Sequence, residues 1–235
     1  MKLDILAFAA HPDDVELACS GTLIKHIAMG KKVGIVDLTR GELGTRGSAE
    51  IRDKEAALSA QIMQLTVREN LGMADGFFTI DEEHKRVIIK AIRKYQPDIV
   101  LANALSDRHP DHTRASQLVS EACFLSGLIK VETGQEAWRP KVVYHYIQDR
   151  YIKPDFIIDI TDAMDTKIKA IQAFSSQFFV AGKEDKEPTT PISSSEFMEA
   201  LKARASDLGR IIGVRYGEGF TVERTLGLNS LNDIF

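Results

Sequence analysis

The chain has 235 residues, 44% of them hydrophobic and 27% charged, with a formal net charge of −4. Those proportions are ordinary for a globular protein with a sizeable core, and its basic residues are scattered, which leaves no basic face for a nucleic acid. Cys19 and Cys123 are too few for a disulfide framework and read as small buried hydrophobes; no stretch approaches the ~18 apolar residues of a membrane span, so a cytoplasmic protein without a membrane partner is expected.

Leu3–Ala10 reads as a buried first strand rather than a leader, because Asp4 interrupts it and Pro12-Asp13-Asp14 stands where a cleavage site would fall. Glu16–Met29 is a helix stopped by Gly30. Val33–Thr39 is a second strand, and the Gly-rich loop Arg40–Gly47 leads to Ser48, an N-cap for the helix Ala49–Leu65. A strand near Thr66–Leu71, a loop with Asp75-Gly76, a helix from Asp81 to about Tyr95 and a fourth strand, Asp98–Ala104, follow. Beyond them come a helix over roughly His112–Lys130 and strands at Val142–Ile147 and Phe156–Ile160. A helix capped by Thr161 or Asp162 runs through Phe174, the polar segment Lys183–Ser195 reads as a mobile loop, and a last helix spans about Ser195–Ile212. This alternation argues for a single α/β domain over residues 1–235, a Rossmann-like three-layer fold with a mostly parallel sheet. No Gly-x-Gly-x-x-Gly follows the first strand, which disfavours a dinucleotide.

Two clusters carry chemistry. His11-Pro12-Asp13-Asp14 follows strand one, and His109-Pro110-Asp111-His112 comes a few residues after strand four. Proline pushes the preceding histidine towards an extended conformation and suits the first helical turn, so each histidine is presented at a strand's end. In a sheet ordered 3-2-1-4 the two strands are neighbours where the winding reverses, and their carboxyl ends flank the ligand crevice. Six polar residues then meet: His11, Asp13, Asp14, His109, Asp111 and His112. Imidazole with carboxylate suits zinc, and a catalytic zinc uses three protein ligands plus water; spacing alone leaves open which three. Helix capping accounts for either cluster alone, but burying both sets unpaired is costly. His26, His84 and His145 are given no role.

At these residues the sequence resembles the LmbE-like, or PIG-L, family of zinc-dependent N-acetylglucosamine deacetylases. The resemblance runs through Ala10–Asp14, His109–His112 and Tyr216-Gly217-Glu218-Gly219-Phe220, and so covers essentially the whole chain. Thr39–Gly47, followed by Glu50 and Arg52, is similar to the bacillithiol-biosynthesis branch, which deacetylates N-acetylglucosaminyl malate. The resemblance implies one zinc ion per chain, with other divalent metals such as Fe2+ admitted, held by His11, Asp14 and His112. It implies Asp13 as general base, His109 as the residue assisting the oxyanion or leaving amine, and Asp111 as the partner orienting His109. Arg52 matches a substrate-contacting arginine and Asp75 a sugar-contacting aspartate. The Gly-rich loop is expected to border the crevice, so Arg52 is expected to bind a carboxylate on the aglycone. Some relatives place a tyrosine near the oxyanion, two residues before the second motif; Asp107 stands there, and the last helix offers Phe197. The expected partner is a small acetylated amino sugar, with self-association into a homo-oligomer. Two other classes compete: a metal-dependent phosphoesterase, which needs ligands for a pair of metals, and a metal- or sugar-binding module without turnover.

Overall fold

The computed structural model describes residues 1–182 and 187–230. Seven strands form one sheet in the order β3-β2-β1-β4-β5-β7-β6. β1 (Ile5–Ala9), β2 (Val33–Thr39), β3 (Val67–Met73), β4 (Ile99–Ala102) and β5 (Val142–Tyr146) are parallel. β7 (Gly217–Val222) runs antiparallel between β5 and β6 (Phe156–Asp159). The predicted 3-2-1-4 core stands.

β1 shows why the sheet has helices on both faces. Leu6, Phe8 and Ala10 belong to one apolar cluster and Ile5, Ala7 and Ala9 to another, all buried. The period of two splits a continuous apolar run between two cores, as a doubly covered strand requires. On the first face α4 (Glu82–Tyr95) and α5 (Pro110–Ser126) pack together; on the second lie α1 (Asp14–Ala18), α2 (Ser20–Ala28), α3 (Ala49–Met63) and α6 (Met164–Gln172). α7 (Ser195–Ile211) packs on β7. No helix among the described residues is long and apolar enough to cross a membrane.

Most predicted elements stand within a few residues. Ser48 and Asp81 cap α3 and α4, accepting from the N–H groups of Ile51 and His84. Gly30, at φ 81°, closes α2 by donating to Ile27 while Lys31 donates to His26, the pair of bonds that ends a helix on a left-handed residue. Cys19 and Cys123 are buried free thiols.

Three differences stand out. The single helix expected over Glu16–Met29 is two, because the chain breaks at Cys19. The new helix start donates the N–H groups of Gly21 and Thr22 to the buried carboxylate of Glu218, which also receives Lys167 Nζ at 2.6 Å. The second helix motif starts at Pro110 rather than His112, so His109 is the N-cap. β7 is not among the expected strands. Of the polar loop, residues 183–186 lie outside the described residues; 187–194 are irregular and end at Ser194, which caps α7.

Candidate active site

His11 follows the end of β1, and a tight turn carries the chain straight into α1. Asp13 takes φ 117° and ψ −22° in that turn, a conformation that strains any residue bearing a side chain. The turn leaves His11, Asp13 and Asp14 buried together at the strand end. At the start of α5, Pro110 fills a position that needs no N–H. The Asp111 N–H donates to His109 Nδ1 at 3.3 Å. With that nitrogen accepting, the neutral ring carries its proton on Nε2.

The two motifs meet. Ring centroids are 4.7 Å apart for His11–His109, 5.5 Å for His11–His112 and 5.1 Å for His109–His112. One donor atom from each imidazole lies within 4.8 Å of the others, and His11, Asp75 and Asp111 make a second such group. Asp14 sits between His11 and His112, with Oδ1 3.1 Å from His112 Nε2 and Oδ2 3.7 Å from His11 Nδ1. Asn103 Nδ2 donates to Asp14 Oδ2 at 3.0 Å and Gln148 Nε2 to Oδ1 at 2.6 Å, which fixes the plane of the carboxylate. On the far side of His112, Asp107 Oδ2 lies 2.7 Å from Nδ1. A carboxylate there orients the ring and directs Nε2 towards Asp14, the arrangement that metal-ligating histidines commonly use.

The electrostatics of this cluster follow from crowding. Burial opposes the charged form of His11, but Asp111, Asp75 and Asp14 outweigh it and raise its pKa to about 10. Burial likewise opposes charge on His112, and Asp14 and Asp107 raise it to about 9. Asp14 is held well below the carboxylate range: burial would raise it, but His112 and His11 prevail. Asp13 goes the other way, pushed up to about 7 by burial and only partly relieved by Arg52. His109 is lowered by burial and by the neighbouring imidazoles. Imidazoles facing carboxylates in a buried, strongly acidic pocket are a donor set that fits a divalent cation.

Each expected residue reaches this region, with two changes of contact. The Asp111 carboxylate receives Arg114 Nη1 at 2.6 Å and the Gly76 N–H at 2.8 Å, and lies 3.4 Å from His11 Nε2; its contact with His109 is through the backbone. Arg52 is buried in the cleft lining, with Nη1 3.8 Å from Asp13 Oδ2, so its charge is already shared with a residue of the protein. Gly41 makes room for it: at φ 64°, a Cβ there would fall 2.3 Å from Arg52 Nη1. Asp75 bonds His11 Nε2 at 3.0 Å and accepts the Leu43 N–H at 2.9 Å, tying the Gly-rich loop to the first motif.

The cluster lines a cleft of about 330 Å3, walled by the Gly-rich loop, by Gln148 and Asp149 after β5, and by Ile192, Phe197 and Arg204. A larger cavity of about 800 Å3 opens where β5 begins and β7 ends, at the other end of the parallel strands, and contains neither motif. The chemistry lies in the smaller one. Sequence reasoning missed Asn103, Asp107, Gln148 and Arg204 as parts of the site. Asn103 was legible as a polar residue closing an apolar strand, and Asp107 as an acid five residues before His112. Gln148 and Arg204 carry no local signal and arrive through the packing of β5 and α7.

The family model described as PIG-L, GlcNAc-PI de-N-acetylase, matches residues 6–123. A diacetylchitobiose deacetylase from Thermococcus kodakarensis is 29% identical over 232 residues, 92% of this chain and 81% of that protein. A 4-oxalmesaconate hydratase from Pseudomonas putida is 26% identical over 73% of each chain. A probable N-acetyl-alpha-D-glucosaminyl L-malate deacetylase 2 from Bacillus anthracis is 27% identical over 74% of this chain and 81% of its own. Among solved structures, a conserved protein from Thermus thermophilus superposes with a TM-score of 0.87 at 37% identity, over 97% of this chain and 98% of that one. With its family model spanning both motifs and a relative alike along nearly its full length, the chain belongs to the PIG-L family.

Proposed function

We propose that this protein is a metal-dependent N-deacetylase that hydrolyses the acetamide of an N-acetylglucosamine-type sugar to acetate and a free amine. The observation that carries the reading is the convergence of the two His-Pro-Asp motifs in one cleft, in a fold whose relatives include sugar deacetylases. His11, Asp14 and His112 would hold one zinc ion or another divalent ion such as Fe2+, which supplies a Lewis acid for the carbonyl and a lowered pKa for water.

The remaining steps belong to the chain. Asp13, beside the ligands and with an affinity for protons raised by burial, takes a proton as water adds to the carbonyl carbon. His109, carrying its proton on Nε2, hydrogen-bonds the developing oxyanion, and the proton held on Asp13 passes to the nitrogen as the C–N bond breaks. The water's OH ends in acetate and its other hydrogen on the amine. Arg52 stabilises the ionised form of Asp13, and Arg52 and Asp75 contact the sugar at the cleft edge. N-Acetylglucosaminyl malate is the substrate proposed within this class, supported by the Bacillus relative and by the Thr39–Arg52 segment.

One ion per chain, rather than the paired metals of a phosphoesterase, is what a set of three protein ligands plus water implies. The test is elemental analysis together with amine release from N-acetylglucosaminyl malate, diacetylchitobiose and N-acetylglucosamine. About one ion per chain and amine from at least one compound are expected; no amine from any of them would overturn the reading. A second reading, hydration of an unsaturated acid, has the Pseudomonas relative in its favour. Loss of 4-oxalmesaconate absorbance without amine release would select it.

A further inference from the structure

The cleft holds three arginines near its acidic floor or walls, and two of them are engaged. Arg52 faces Asp13, and Arg108 Nε lies 2.8 Å from Asp149 Oδ2. Arg204 is different. It is partly buried on α7, lines the same cleft, and has no hydrogen bond or ion pair to any described residue. Phe197 and Arg204 stand two turns apart, so they share the helix face that walls the cleft. A guanidinium withdrawn from water without a counter-ion is costly. Burial weakens its hold on the proton, against the more distant pull of Asp149, Asp107 and Glu218.

The arrangement also has a direction. The floor carboxylates of Asp13, Asp14, Asp75 and Asp111 already face Arg52, His112, His11 and Arg114. An incoming anion thus meets at Arg204 the cleft arginine that has no counter-ion among the described residues. A substrate with both an acetamide and an acidic group therefore has one favourable orientation: acetamide towards the histidines, acid towards α7. The guanidinium fork matches a carboxylate or phosphate through two parallel hydrogen bonds. We propose that Arg204 is a specificity-determining residue that receives an acidic group carried on the aglycone of the amino sugar. This rests on the deacetylase reading above, and it moves recognition of the acid from Arg52, whose charge already faces Asp13, to Arg204.

The experiment measures kcat/KM for N-acetylglucosaminyl malate, N-acetylglucosamine 1-phosphate and methyl N-acetylglucosaminide, in wild type, Arg204→Ala and Arg204→Lys. The wild type should prefer one acidic compound, and which one distinguishes carboxylate from phosphate. Arg204→Ala should lose about 10- to 100-fold more on that compound than on the neutral one, mostly in KM, with Arg204→Lys in between. Melting temperatures check folding; removing an unpaired cation should leave Tm unchanged or higher. Equal losses on acidic and neutral compounds, or no acidic preference in the wild type, would overturn the proposal. If the wild type releases amine from none of them, the deacetylase reading fails instead, and calorimetry of the same compounds decides on Arg204. Tighter binding of an acidic compound that Arg204→Ala abolishes upholds the anion site, and binding indifferent to that substitution overturns it.

Discussion

Asp13 joins function to strain in one residue. Its carboxylate lies beside the proposed metal ligands, while its backbone sits at φ 117°. Two variants separate these roles. Asp13→Ala should keep its metal by elemental analysis yet lose about 10²- to 10⁴-fold in kcat, the scale of general-base catalysis. Wild-type turnover in that variant would remove the role. Asp13→Gly should be equally inactive but more stable than Asp13→Ala by about 1 kcal/mol in urea, because glycine relieves the strained angle at a smaller cost in unfolded-state entropy. Asp107 illustrates a residue acting through another. Its carboxylate orients His112, so Asp107→Ala should weaken zinc affinity by about 10- to 100-fold without removing a ligand. His112→Ala should abolish binding, and full occupancy there would refute the ligand set; the same measurement on His109→Ala decides whether that imidazole belongs to it.

At the scale of elements, the break between α1 and α2 is a feature that periodicity alone does not reveal. Residues 14–28 keep a helical apolar pattern throughout, yet Glu218 on β7 accepts from Gly21 N, Thr22 N and Thr22 Oγ1 and pairs with the buried Lys167. A carboxylate at a helix start is favourable, and here it joins α2, α6 and β7. Gly21 permits the approach, since a Cβ would sit 2.9 Å from both Glu218 Oε1 and the Ile160 side chain. Glu218→Ala should destabilise by about 3–5 kcal/mol in urea titration, because it leaves a buried ammonium uncompensated. A loss below about 1 kcal/mol would show that the ion pair is not structural. The same packing explains why β7 escaped sequence reading. Gly217-Glu218-Gly219 has little strand propensity, but a Cβ at Gly217 would come within 2.6 Å of Ile157, so bulkier residues do not fit between α7 and β6.

For the whole molecule, the site is an assembly of distant segments, and binding of the proposed metal is therefore expected to be coupled to folding. His11 follows β1, Asp14 opens α1 and His112 lies in α5, so the unfolded chain has no comparable site. Zinc at about 100 times its dissociation constant should stabilise the fold by about 2.7 kcal/mol. Chelation should lower Tm in the wild type and leave the His112→Ala protein unmoved; an equal response in both would place the ion elsewhere. Much of this was legible in advance. The continuous apolar runs of β1 and β2, the glycine and N-cap signals and the repeated His-Pro-Asp motif are local features, and alternation of strands with helices dictates a parallel sheet by short-range sterics and chain connectivity. They determined the fold class and the chain segments from which the site is built. Tertiary structure decided what depends on contacts between distant parts of the chain. It set the Asp111 carboxylate against His11, buried Arg52 beside Asp13, brought Gln148 onto Asp14, and left Arg204 facing the cleft without a partner among the described residues. Those outcomes follow from packing between elements, and no local propensity encodes which charge meets which.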